Sequence, residues 1–114
     1  MDKINIIFAL LSIGIGAISW INPRYAMSAL DLHAGNSTMG MSEVRASAGA
    51  LFVGMGVGAV IFGSSEAYAM LGFCWLGAAI GRATSLLFDG VTQRKLVFFA
   101  VEAAVGIPAV LLNF

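Results

Sequence analysis

Four apolar runs, each long enough to cross a bilayer as a helix, dominate this sequence of 114 residues. They cover residues 4–21, 44–62, 67–88 and 96–112, so each contains about 17–22 residues. A helix rises about 1.5 Å per residue, and a hydrocarbon core about 30 Å thick needs roughly 20 apolar residues. Spanning strands would be shorter and would alternate polar with apolar residues, which these runs do not. The runs therefore predict four membrane-spanning helices.

The composition indicates that lipid, rather than water, surrounds most of this surface. Hydrophobic residues make up 60% of the chain, whereas charged residues make up only 11%, six of them basic and six acidic. A soluble domain of this length needs a shell of polar side chains, which so few charges cannot supply. The net charge of zero also leaves no basic tract to neutralise phosphates. We therefore expect the lipid bilayer as a partner, and no nucleic acid.

The connections between the runs predict how the helices follow one another. Residues 63–66 and 89–95 are short, so runs two, three and four should be antiparallel neighbours. The fold class expected is all-α, an integral membrane four-helix bundle of up-and-down spans forming a single domain over residues 1–114. The first connection, residues 22–41, is longer, and Pro23 could begin a short interfacial helix there. Ser42 is expected to cap the helix of run two.

Small residues recur along two of the runs at helical spacing. Run two contains Ala46, Ala50, Gly54 and Gly58 at intervals of four, and run three contains Gly77 and Gly81. Such stripes let two backbones approach closely, which drives helix association in lipid. Two interpretations stay open for these helix-packing residues. They pack the helices of one chain together, or they form the interface of a homo-oligomer.

Several charged residues fall on one side of the predicted membrane. Run two begins, run three ends and run four begins on the side opposite to the N-terminus. Arg82 lies six residues before the end of run three and Glu102 six residues after the start of run four, about 9 Å deep in each case. Arg45 lies near the start of run two, next to Glu43. We therefore expect a charged layer of Arg45, Arg82 and Glu102, with Glu43 and Asp89 as further candidates for ion pairing or ligand binding.

The cost of burying charge predicts how this layer is arranged. An unpaired charge at the centre of a span costs roughly 2.5–3.5 kcal/mol. Arg82 should therefore pair with Glu102, and Arg45 with Glu43 or Glu102, through charge-assisted hydrogen bonds. The layer is then either a structural ion pair that sets helix register, or a polar pocket that binds an anionic or amphiphilic ligand or moves protons through Glu102.

The sequence contains no pattern that points to a known catalytic or metal-binding chemistry. HExxH, CxxC, GxSxG and P-loop motifs do not occur. Asp31 and His33 are too few to predict a metal site, and His33 is expected to be a solvated loop residue. Cys74, the single cysteine, is expected to pack as a small apolar side chain. We therefore predict no catalytic residues, no metal and no cofactor.

Three segments of runs two to four resemble a known family. They read SEVRASAGALFVGMG at Ser42–Gly56, GRATSLLFDG at Gly81–Gly90 and VEAAVGIPAVL at Val101–Leu111. Together they resemble a family of small bacterial four-span membrane proteins that is classed as a domain of unknown function and is similar in layout to DoxX-like proteins. The family's recurring positions correspond to Glu43, Arg45, Gly49, Arg82, Asp89, Gly90 and Glu102. The family often has a glycine where this chain has Ala50. The resemblance implies a site at these positions but no activity.

The charges outside the runs predict an orientation. Arg24, Arg94 and Lys95 lie on the side opposite to the N-terminus, whereas Lys3 alone lies on the N-terminal side. The positive-inside rule then places the charged connections in the cytoplasm and both termini outside, in a bacterial inner membrane.

Three classes of function compete. The first is a non-enzymatic membrane protein that forms an oligomer or serves as an accessory subunit of a membrane complex, with other membrane subunits as partners. The second is a small transporter or a protein that binds an anion or amphiphile at the charged layer. The third is a membrane enzyme that acts on a lipid or quinone. The small-residue stripes and the lack of catalytic motifs favour the first.

Overall fold

The computed structural model describes residues 2–114, which are helical apart from short connections. The segments are α1 (Asp2–Ile21), α2 (Pro23–Leu30), α3 (Met39–Glu43), a π-helical segment (Val44–Ala50), α4 (Leu51–Phe62), α5 (Ser65–Phe88) and α6 (Gln93–Asn113). The backbone stays in the right-handed helical region at Glu43, Val44 and Leu51. α3, the π-helical segment and α4 are therefore one continuous helix, the 39–62 helix.

Four of these helices have the length and composition of membrane spans. They cover Lys3–Ile21, Met39–Phe62, Ser65–Phe88 and Gln93–Asn113, each with an 18-residue window of strongly apolar mean hydropathy. Each contains one of the four predicted runs, extended by one to five residues toward its N-terminus. The prediction of an all-α protein with four span-length helices is confirmed.

The helix starts follow local hydrogen bonding. Pro23 occupies the first turn of α2, where its missing N–H costs nothing, and the Asn22 side chain accepts from the Tyr25 N–H. Ser64 and Thr92 cap α5 and α6 in the same way. The short helix predicted at Pro23 is therefore present. The cap predicted at Ser42 is wrong, because Ser42 lies inside the 39–62 helix, which begins about one turn earlier.

The described residues divide into two compact units, and residues 6–61 form one of them. In this unit α1 packs against the 39–62 helix at three glycines. A Cβ added at Gly16 would lie 2.6 Å from the Gly49 carbonyl oxygen, and one at Gly56 would lie 2.6 Å from the Ala9 carbonyl oxygen. A Cβ at Gly49 would lie 2.8 Å from the Trp20 backbone. Only glycine allows the two backbones this close, as in other lipid-embedded helix pairs.

The π-helical segment decides which face of the 39–62 helix is buried. Val44 and Gly49 are both buried, five residues apart, whereas Gly56 and Ala59 follow at the ordinary α-helical spacing. A π-helical turn contains one residue more than an α-helical turn, so the face rotates at this point. The buried face therefore follows Val44, Gly49, Gly56 and Ala59, and the predicted stripe through residues 46–58 lies on another face of the helix.

The second unit contains residues 62–114 and the first residues of α1, up to Asn5. α5 and α6 are antiparallel within it. A Cβ at Gly72 would lie 2.8 Å from the Ala109 Cβ, and one at Gly106 would lie 2.6 Å from the Leu76 backbone nitrogen. Pro108 lies inside α6, which continues to Asn113. Since Pro removes one backbone donor, it weakens the helix at this point without ending it.

The close approaches occur at other residues than those predicted. A Cβ added at Gly54, Gly58, Gly77 or Gly81 would meet no atom of its own unit within 4 Å. These four glycines therefore make no close contact inside their own units. In the 39–62 helix the contact face contains Gly56, which lies about 160° around the helix from both Gly54 and Gly58. In α5 the contact face is set by Gly72, a glycine outside the GxxxG pair. A role for the predicted residues in oligomer formation stays a prediction.

The side chains that face outward suit a lipid environment. Along α1 the buried residues are small or polar, and they recur at helical spacing as Asn5, Ala9, Ser12, Gly16 and Ser19. The large aliphatic residues of α1 are exposed instead, among them Ile7, Leu10 and Ile18. In water this arrangement would place the most hydrophobic surface against solvent. In lipid it is favourable, because tight helix contacts use small residues and large apolar side chains face the acyl chains.

Candidate functional site

α5 and α6 bring a basic and an acidic side chain together at the same level. The turn between them begins after Phe88. Gly90 in this turn has a φ of +93°, a backbone conformation that residues other than glycine rarely adopt. Lys95 Nζ donates to the backbone carbonyl oxygens of Asp89 and Gly90, at 3.4 and 2.9 Å, and so closes the turn. Because the turn is short, Arg82 and Glu102 face each other across the helix pair.

The Arg82–Glu102 ion pair has two hydrogen bonds. Arg82 Nε donates to Glu102 Oε1 at 3.2 Å, and Arg82 Nη2 donates to Glu102 Oε2 at 2.9 Å. The guanidinium also lies over the Phe98 ring, 5.3 Å from its centroid, within cation–π range. The side chains are 32% and 12% exposed respectively. The contact predicted between Arg82 and Glu102 is therefore observed, and it occupies both carboxylate oxygens.

Arg45 lies in the other unit and has a different partner. Its Nη1 donates to the Trp20 carbonyl oxygen at 2.8 Å, in the last turn of α1. The carbonyls of a last helical turn have no partner within their helix, so an arginine here caps α1 and matches its dipole. The predicted pairing with Glu43 is wrong, since the Glu43 carboxylate instead accepts from Ser47 Oγ at 3.2 Å. Both Glu43 and Ser47 are exposed.

Arg45 also lines an open groove of about 470 Å³. The groove combines Arg45 with the hydroxyl residues Thr38 and Ser42 and with apolar walls; its other lining residues are Trp20, Met41, Ala46 and Ala50. Ala46 and Ala50 thus border the groove, and the π-helical segment brings residues 45 and 50 onto the same face. A groove with one cation, two hydroxyls and an apolar floor can accept an anionic group attached to an apolar chain.

Two other predicted residues have minor roles in the described part of the chain. Asp89 caps the end of α5 with its backbone, is exposed, and is not the partner of Arg82. His33 Nε2 lies 3.9 Å from Asp31 Oδ1, and both side chains are largely exposed. No group of three or more His, Cys, Asp or Glu residues that could hold a metal occurs among residues 2–114.

The buried pair of side-chain amides, Asn5 and Asn113, was not predicted from the sequence. Asn5 and Asn113 are 4% and 9% exposed, and each Nδ2 donates to the other's Oδ1 at 2.8 Å. The Asn113 amide also donates to the Ala109 carbonyl oxygen at 2.7 Å. Asn5 was counted simply as part of an apolar run, and Asn113 lay one residue beyond run four. An amide inside an apolar run was the available signal, because it needs a partner when water is absent.

The comparisons with known proteins establish a family. The chain belongs to the family described as "Domain of unknown function (DUF4345)", whose match covers residues 2–113. No curated protein and no solved structure matches the chain. The predicted membership of a family without an assigned activity is confirmed. The chain is therefore a small membrane protein of unassigned activity, with four span-length helices.

Proposed function

We propose that this family member is a non-enzymatic membrane protein that forms a homo-oligomer through one face of α5. The proposal is based on a row of three exposed residues on α5, namely Cys74, Gly77 and Gly81. These residues lie at positions i, i+3 and i+7, so they share one helix face. Because neither glycine contacts its own unit, the face is open to a second helix. Small residues at this spacing allow close backbone approach in lipid.

The composition of the neighbouring surface supports the same proposal. Ile80, beside the row, and Met70, one turn before Cys74, are more than half exposed and are suited to acyl chains. A glycine pair offers lipid little to contact, whereas it offers a second helix a groove for its backbone. If the protein is instead an accessory subunit, as in the predicted alternative, the same face binds a different protein. The mass of the purified protein separates the two cases.

The geometry of the Arg82–Glu102 pair favours a structural role for these charges. Two parallel hydrogen bonds and the Phe98 ring satisfy much of the guanidinium and both carboxylate oxygens. A bidentate pair of this kind is strong and directional, so it sets the register of α5 against α6. We propose that it lies within the membrane, where leaving either charge unpaired would cost several kcal/mol.

A second candidate function is binding or transport of an anionic amphiphile at this pair. The observation that favours it is the 32% of the Arg82 side chain that stays exposed. An anion would have to compete with Glu102, which already holds two of the guanidinium N–H groups. The predicted layer of Arg45, Arg82 and Glu102, the similarity to DoxX-like proteins, the bacterial origin and the single domain stay predictions.

Oxidative cross-linking through the native cysteine tests the proposed interface. Two α5 helices that meet at Gly77 and Gly81 bring the two Cys74 thiols close, so mild oxidation of purified protein in lipid nanodiscs should give a disulfide-linked dimer. The control moves the thiol away from the contact by combining Cys74→Ser with Ile80→Cys, since residue 80 lies about 120° around the helix from residue 74. Equal cross-linking from positions 74 and 80, or none from position 74, contradicts the proposal.

A further inference from the structure

The groove beside Arg45 combines features of an anionic lipid site. Arg45 carries five N–H donors, and its hydrogen bond to the Trp20 carbonyl oxygen uses one of them. The side chain is exposed, and Glu43 does not neutralise it, because that carboxylate accepts from Ser47 on the same helix. Arg45 can therefore bind an anion in the groove without giving up its bond to α1.

The shape of the groove indicates what the anion is attached to. Thr38 and Ser42, which carry hydroxyl groups, line the groove together with Arg45. Ala46 and Ala50 follow along the helix, and their small side chains leave an apolar trough. The sequence of groups is thus hydroxyl, cation and then apolar surface. A phospholipid has the same order, with a polar headgroup, a phosphate and an acyl chain.

The position along the helix agrees with this order. The 39–62 helix contains 24 residues and is about 35 Å long, which exceeds a hydrocarbon thickness of about 30 Å. Its first turn, together with Thr38 just before it, then reaches the headgroup region, while Ala46 and Ala50 lie deeper. Trp20, exposed at the end of α1, lines the same groove. Tryptophan is enriched at this depth of a bilayer, where lipid phosphates lie.

We infer that this groove is a binding site for an anionic phospholipid, with the phosphate at Arg45 and an acyl chain along Ala46 and Ala50. The inference does not depend on the proposed α5 interface, since the groove lies wholly within residues 6–61.

Native mass spectrometry of the purified protein can measure the bound lipid directly. The protein is released from nanodiscs that contain equal amounts of phosphatidylglycerol and phosphatidylcholine. The wild type should retain phosphatidylglycerol in preference to phosphatidylcholine. Arg45→Gln should lower the retained phosphatidylglycerol about tenfold or more, because charge-assisted hydrogen bonds to the phosphate are lost. Arg24→Gln is the matched control, since it removes the same charge from an exposed residue of the same unit that does not line the groove.

A second variant keeps the test decisive if Arg45→Gln fails to fold, since that change also removes the cap on α1. Ala50→Leu fills the apolar trough and leaves Arg45 in place, so it should lower lipid retention while circular dichroism shows an unchanged helix content. In a separate arm, inorganic phosphate alone should not raise the unfolding temperature of detergent-purified wild type. Equal retention of the two lipids, an Ala50→Leu variant that binds as the wild type does, or stabilisation by free phosphate would overturn the inference.

Discussion

In an apolar environment, the Arg82 guanidinium and the Glu102 carboxylate provide each other with an opposite charge and with hydrogen-bond partners. With Glu102 only 12% exposed, removing the arginine leaves a carboxylate that has little access to water. An isolated charge in such a place is more costly than no charge at all. Removing only one member of the pair should therefore lower the free energy of unfolding by more than the intact pair contributes to it.

This asymmetry predicts the outcome of a double-mutant cycle. Arg82→Met and Glu102→Gln should each lower the free energy of unfolding, and the double variant should be less destabilised than the sum of the two. A coupling of about 1–3 kcal/mol is expected for a contacting, partly buried pair. Denaturant unfolding of the purified protein in detergent measures it. Additive losses would mean that the two groups do not stabilise each other.

The Asn5–Asn113 pair is a contact between two uncharged side chains that the sequence did not predict. Charged residues stand out in an apolar run, so Arg82 and Glu102 were found and their contact was predicted. An asparagine is short and uncharged, and a single one is easily counted as part of a span. Its partner lay 108 positions away in the sequence. No local pattern relates two such residues, and only the folded structure of their unit brings the two amides together.

At the scale of helices, span length was predictable and helix rotation was not. Apolar length alone located four spans to within a few residues, because the bilayer sets the length. The π-helical segment at Val44–Ala50 has no comparable signature, and it turns the buried face by one residue. The small-residue stripe from Ala46 to Gly58 did not identify the contact with α1, because the helix has small residues on more than one face and their spacing does not show which face is covered. Gly49 and Gly56, which make this contact, lie outside that stripe.

Two neighbouring glycines of the 39–62 helix provide a matched test of this packing. Gly56→Ala places a methyl group 2.6 Å from the Ala9 carbonyl oxygen, so it should destabilise the protein by about 1–3 kcal/mol. Gly54→Ala meets no atom of its unit and raises helix propensity, so stability should stay the same or rise slightly. Thermal unfolding in detergent compares them. If the two variants have equal unfolding temperatures, the assigned contact face is wrong.

For the whole molecule, the charges outside the spans predict one orientation in the membrane. Arg94 and Lys95 lie at the start of α6, next to the α5–α6 turn, and the positive-inside rule places this turn in the cytoplasm. In a background of Cys74→Ser, a membrane-impermeant maleimide should label Phe114→Cys in intact cells. It should label Val91→Cys only after permeabilisation. The reverse pattern would invert the orientation but would leave the Arg82–Glu102 contact unaffected.

The proposed association uses a face of α5 that its own unit leaves open. The family assignment supplies no activity and no partner. A stable homo-oligomer would cover Gly77 and Gly81, and a protein that acts alone would leave both to lipid. The difference between the two cases is a whole multiple of the subunit mass, which makes it the simplest property of the molecule to measure.

The most direct measurement is the mass of the purified protein in a mild detergent, by light scattering corrected for bound detergent. We expect the wild type to be a dimer or larger, and Gly77→Leu to shift it toward the monomer, because the leucine blocks close approach. Gly14→Leu is the matched control, since Gly14 is equally open on α1 and lies outside the proposed interface. This variant should keep the wild-type mass. A monomeric wild type, or a Gly77→Leu variant with unchanged mass, would contradict the proposed association.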